Sequence, residues 1–147
     1  MSSREKILQA IKNSQPDGKE LPLLQFDIHS DEDASVIFAN MLSSIGGAAH
    51  FANSYTEIED MIRAEYMHAK RIISTCKEIR TGEEISVGID PHSLEDVDLA
   101  IIEAHFGVAE NAALWVTDKL IPVRALPFIA QQLAVIVKKE DILYNMH

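Results

Sequence analysis

The feature that most constrains this chain is the stretch 99–118, LAIIEAHFGVAENAALWVTD, in which two apolar runs flank a short polar interruption. Residues 99–102 and 113–116 are too short and too continuously apolar for helices, and their branched and aromatic side chains suit a buried pleated surface. Both are expected to be core strands facing each other. Between them Gly107 supplies backbone freedom, Glu110 and Asn111 supply polar groups, and Ala112 with Ala113 keeps the approach narrow. Any site this chain carries is expected at that interruption.

The flanking sequence alternates helix and strand signals. Ser2 with Glu5 forms a capping box, and Ile7, Leu8 and Ile11 recur at helical spacing, which predicts a helix over residues 3–13. Residues 14–29 read as an extended lead-in, leaving the first helix either as an arm against a partner subunit or folded back on its own domain. Ser30 or Asp31 caps a second helix, whose positions Ala34, Ile37, Phe38, Met41, Leu42 and Ile45 keep the 3.6 period up to Gly46. Residues 48–52 read as a short strand, Thr56 with Glu59 caps a third helix, and 71–75 is a strand. Residues 85–89 read as another short strand, and 91–98 as an acidic connection capped by Ser93 with Asp96. Residues 123–132 predict a crossover helix with Pro127 in its first turn, 133–137 a strand, and 138–140 the start of a last helix.

This alternation with short connections is the signature of parallel strands joined by crossovers, so the fold class is α/β with a mostly parallel central sheet. A length of 147 residues, 47% of them hydrophobic, supports one domain, with 1–29 as its N-terminal helix and lead-in. Ile142 and Leu143 begin a buried face that nothing after them completes. Either the sequence stops short of its domain's end, or a neighbouring chain covers that face. With the apolar run 133–137, this predicts a homo-oligomer.

Thirteen Lys and Arg against 23 Asp and Glu give a net charge of −10 with no basic cluster, which argues against nucleic acid as a partner. Cys76 is the one cysteine, so there is no intrachain disulfide and no cysteine-based zinc or iron–sulfur site. The opening residues lack the apolar core of a signal peptide, and no run approaches the roughly 20 apolar residues that span a bilayer. The expectation is a soluble cytoplasmic protein, with no membrane partner, resident metal or cofactor.

From residue 99 to residue 137, the order of strand, FGVAEN interruption, strand and then ALPFIAQQLAVIV resembles the LUD domain, specifically the lactate utilization protein C family. SSREKILQAIK, followed by a capped helix ending in Gly46 and Gly47, is similar to that family's opening. The family's interruption usually reads Ala, an acidic residue, then Thr-Gly-Ser or Thr-Gly-Thr, whereas here Ala109, Glu110, Asn111, Ala112 and Ala113 lack both the hydroxyls and the Gly. The family commonly continues into a segment rich in Gly, Ser, Thr and Asp that this sequence does not contain. The resemblance implies a fold like that of the ribose-phosphate isomerase and coenzyme A transferase superfamily, with helices on both faces of the sheet. It also implies an accessory role in oxidising L-lactate to pyruvate beside two iron–sulfur partner proteins. Redox cofactors then sit on the partners.

Glu110 is the candidate catalytic residue. Coenzyme A transferases of the superfamily use a Glu in a Ser-Glu-Asn-Gly turn as acyl acceptor, and Ala109-Glu110-Asn111-Ala112 looks like a degraded form of it. The plainer alternative is a loop carboxylate. Gly107, Asn111 and Ala112 would line a ligand beside Glu110, and Arg124 is the cation placed to meet a carboxylate or phosphate, unless it pairs with a surface acid. Glu103 and His105 offer two ligands that Glu110 could join, but metal sites need three or four, and a partly buried hydrogen-bonded His is the favoured reading. Trp115 reads as core and Cys76 as a small buried apolar residue. Three functions stay open: the lactate-pathway accessory protein, an independent acyl-transfer or sugar-phosphate isomerase enzyme, and a non-catalytic assembly domain.

Overall fold

The computed structural model describes residues 2–16, 18, 20, 32–86 and 88–147. Its centre is strand β3 (Leu99–Glu103), whose first four residues are buried. On one side β3 pairs with β1 (Ile72–Ser74), which pairs in turn with β2 (Glu83–Glu84), and on the other it pairs with β6 (Gln132–Ile136). All of these pairings are parallel, so the protein is an α/β chain with the parallel main sheet that its alternating sequence requires.

Side chains that alternate along a strand divide β3 between two cores. Leu99 and Ile101 pack with Ile62, Cys76 and Ile79 beneath helix α3 (Tyr55–Glu65), while Ala100 and Ile102 pack with Leu94, Val97, Val123 and Leu126 on the opposite face. That second face is covered by the 3-10 turn Pro91–Leu94 and by the short helix α4 (Leu126–Ile129). The expected crossover helix over 123–132 is therefore only four residues long. Pro127 does sit in its first turn, and the Gln131 and Gln132 amides are already committed to Val97 and Asp98 carbonyls as β6 begins.

A smaller sheet extends the larger one. Strand β4 (Phe106–Val108) follows β3 after two residues, pairs antiparallel with β5 (Ala113–Trp115), and pairs parallel with β7 (Ile142–Leu143). Helix α2 (Ala34–Ser44) covers this sheet, and Ala34 and Phe38 pack on Ala109, Ala112 and Ile142. Residues 99–102 and 113–116 are thus not facing core strands. The second run lies in a different sheet and is half exposed, because Trp115 stacks on Phe106 at the surface with ring centroids 6.0 Å apart, and is 57% exposed instead of core. The expected last helix is a 3-10 turn (Lys139–Asp141) followed by β7, since the backbone of β4 supplies a ladder for Ile142 and Leu143.

Helix α1 (Ser3–Asn13) carries both bonds of the Ser2/Glu5 capping box, and α2 ends as expected with Gly46 at a positive φ of 92°. The α2 cap falls on Asp33; Ser30, Asp31 and the apolar patches of the lead-in over 21–28 lie outside the described residues. In α3 the cap shifts to Ser54, with Glu57 accepting from the Asn53 amide, and Glu59 instead accepts from the amides of Arg80 and Thr81. The 3-10 turn after β2 is capped by Asp90, not by Ser93 with Asp96. Residues 48–52 form no strand and are exposed, because no neighbouring ladder receives them. The strand expected at 85–89 is the earlier pair Glu83–Glu84, which the edge of β1 accepts; Val87 lies outside the described residues.

Two links fix the sheet from its ends. The Arg71 guanidinium bonds to Asp96, to Glu83 and to the Ser93 carbonyl, while Asp98 accepts from the Lys70 and Arg71 amides, joining the entries of β1 and β3. At the other end Asp33 accepts from Lys139 Nζ at 2.7 Å and from Ser35, which ties the start of α2 to the turn before β7.

Ile101→Ala is expected to lower unfolding stability by about 2–5 kcal/mol in urea, since it opens a cavity in a fully buried strand. The bonds to Lys139 and Ser35 hold the Asp33 carboxyl at about 2 against its ordinary 3.8. Its contribution is therefore whole above pH 3.8 and is lost as pH falls toward 2. In Lys139→Met that acid-dependent loss is expected to shrink in unfolding curves recorded between pH 2 and 5.

Candidate functional site

The interruption between the apolar runs is a hairpin loop, residues 109–112, between β4 and β5. Its backbone is pinned on both sides. The Ala109 and Glu110 amides donate to the Leu143 and Tyr144 carbonyls at 2.8 and 3.0 Å, continuing the β4–β7 ladder, and the Ala113 amide donates to Asn111 Oδ1 at 3.0 Å. The last bond closes an Asx turn, which lets Ala112 take a left-handed φ of 55° that ordinarily costs roughly 1–2 kcal/mol for an L residue. Ala109 and Ala112 point inward against α2, so the loop cannot rotate without opening the smaller core.

The outcome is a rigid turn with two exposed polar side chains, Glu110 and Asn111. No hydrogen bond or ion pair engages the Glu110 carboxylate among the described residues, and Asn111 Nδ2 lies 3.8 Å from Met146 Sδ. Gly107 belongs to β4 and not to the loop. Its role is steric and not conformational, for a Cβ there would meet Ile142 Cδ1 at 2.6 Å, Phe38 at 3.1 Å and Leu114 at 3.2 Å. Beside the turn, through Tyr144, opens a cleft of about 540 Å³ lined by Asp33, Ala34, Lys139, Glu140, Ile142 and Tyr144.

Arg124 stands exposed after the β5 strand, and its Nη2 donates to Asp118 at 2.6 Å, holding the Asp118 carboxyl below the usual range. Nothing in its bonding ties it to the loop. His105 Nε2 is 2.8 Å from Thr117 Oγ1, and its amide donates to the Trp115 carbonyl. Among the described residues neither His105 nor Glu110 joins a group of three metal-ligating side chains.

Glu103 instead meets residues that sequence reading treated as unrelated. Cys76 Sγ and oxygens of Glu78 and Glu103 lie within 4.8 Å of one another at the carboxyl ends of β1 and β3. Ser74, buried two residues earlier, donates to the Cys76 carbonyl and accepts from its amide. Burial, with Glu103 adding to it, pushes the Cys76 thiol up to about 12, so it stays protonated, within 3.4 Å of Glu78 Oε2. Burial is also the chief cause that raises the Tyr55 phenol at the start of α3. Three such donors match what a divalent cation takes at a three-ligand site, and a cation would have to displace the thiol proton. Without one the group is a neutral thiol and not a nucleophile. The available signal was Ser74-Thr75-Cys76 at the carboxyl end of a parallel strand, since sites in such sheets gather there.

The folded chain keeps the Cys76 proton where an unfolded chain loses it. The thiol's contribution is therefore whole below pH 9, its ordinary value, and drains away as pH rises toward 12. The stability gap between the unmodified chain and Cys76→Ala is expected to narrow from pH 8 to pH 11 in urea unfolding, and native Cys76 to resist alkylation at pH 8. No family model matches the chain, and no curated protein or solved structure matches it either.

Proposed function

We propose that this chain is a lactate-utilisation accessory protein of the LUD type, working in the cytoplasm with iron–sulfur partner proteins as L-lactate is oxidised to pyruvate. The observation that carries the reading is the unit built by β3, β4, the 109–112 loop and β6. It is the stretch whose sequence resembles the family, and it holds Glu110 and Asn111 rigidly at the surface beside an open cleft. A fold like that of the ribose-phosphate isomerase and coenzyme A transferase superfamily goes with this reading. Its support is the parallel sheet with α3 on one face and α4 on the other.

Oxidising lactate releases two electrons and two protons, and one buried cysteine cannot hold a cluster that needs several thiolates. The electrons then pass to clusters on the partners, and this chain contributes binding and positioning. Lys139, at the rim of the cleft and paired with Asp33, is the cation nearest in kind to what a small carboxylate requires. Acyl transfer through Glu110 is the second reading, favoured by a carboxylate without a partner among the described residues on a backbone that cannot swing away. That the chain mediates assembly alone is the third.

The reading is tested by deleting the gene and growing cells on L-lactate as sole carbon source. Growth is expected to fail, and to return with the unaltered gene. Glu110→Gln separates the readings: full restoration of growth removes acyl transfer through Glu110, and normal growth of the deletion strain removes the lactate pathway altogether.

A further inference from the structure

Helix α1 is built to be covered, yet none of its residues is buried. Ile7, Leu8 and Ile11 fall on one stripe and are 60%, 50% and 53% exposed, while Gln9 and Asn13 bond to each other along the polar side. Helices of 11 residues are marginal in water unless an apolar face packs on something. Three cations, Arg4, Lys6 and Lys12, against Glu5 give α1 a net +2 in a chain of net −10. The basic and acidic charges are thus segregated, the helix against the body.

One surface of the body has the complementary character. Helix α3 carries Glu57, Glu59, Asp60 and Glu65 against Arg63, a net −3. His50 Nε2 lies 3.5 Å from Glu65, so the segment containing exposed Phe51 lies alongside the carboxyl end of α3, where Met67 is 71% exposed. Acidic side chains and exposed apolar ones therefore adjoin there, as basic and apolar ones do on α1. Among the described residues, every position of α1 is exposed.

We propose that α1 docks on the α3 surface of a second copy of this chain, in a reciprocal arm exchange. Each copy buries its Ile7, Leu8 and Ile11 stripe against Phe51 and Met67 of the other, with Lys6 and Lys12 set against Asp60 and Glu65. A two-fold arrangement makes the contact twice, and the basic arm offsets the repulsion that would otherwise separate two bodies of equal negative charge. The proposal does not depend on the lactate reading.

The test is the mass of the full chain in solution, by light scattering or sedimentation. A dimer is expected at low salt, weakened at an ionic strength of about 1 M, where charges are screened beyond about 3 Å. The double variant Ile7→Asp with Ile11→Asp is expected to raise the dimer dissociation constant by more than about tenfold with the helical and sheet signals of the body unchanged. Lys6→Glu with Lys12→Glu is expected to do likewise, and adding Asp60→Lys with Glu65→Lys to restore the dimer. A chain that stays monomeric up to about 100 µM overturns the proposal, as does a dimer indifferent to the α1 variants or a charge swap that fails to rescue.

Discussion

Everything in this molecule hangs on one strand being dry on both sides. β3 has polar side chains only at its far end, and each of its first four residues commits to one of two opposed cores. A strand of that kind cannot stand at an edge or face water, so β1 and β6 must flank it and a cover must form on each face. The parallel direction follows, because the chain leaves the sheet at one end and has to return before adding the next strand. With the order set in this way, the carboxyl ends of β1, β3 and β6 fall on one side, and it is there that Cys76, Glu103 and the second sheet are found.

The smaller sheet owes its existence to the larger. β3 passes into β4 and β6 into β7, so the same two chain segments pair in both sheets, and the pairing resumes at Gly107 with Ile142 and runs on through the Ala109 and Glu110 amides. The 109–112 loop inherits its rigidity from this arrangement more than from its own sequence. Asn111 closes the turn locally, while β7 and α2 hold it from outside.

Sequence patterning revealed β1, β3 and β6 because each lies in an unbroken apolar run of strand length, although only β3 is dry along most of its length, and it revealed α1, α2 and α3 because a one-sided helix repeats every three to four residues. It misplaced Trp115 since hydrophobicity alone does not tell a core ring from one stacked on Phe106 in the open. It took residues 142–143 for a helix because a two-residue strand has no period to detect and is defined only by the partner it finds. Residues 48–52 looked like a strand for the converse reason, being apolar enough but without a ladder. At the loop, Glu110 and Asn111 were legible as polar residues between strands. The meeting of Cys76 and Glu78 with Glu103 was not, as it joins positions 25 or more apart through the pairing of β1 with β3.

The shared pairing leaves one arithmetical trace. Leu99 faces a partner 33 positions on, at Gln132, and Gly107 faces one 35 positions on, at Ile142, so the return segment carries two surplus residues in the turn before β7. A 3-10 turn takes up those two residues, so the pairing of β7 with β4 decides which way each side chain looks, and a one-residue slip there would turn Ile142 to solvent and Leu143 into the interior. The turn is thus the slack that lets one return segment serve two sheets, while Ile142 seated opposite Gly107 fixes where the second pairing starts.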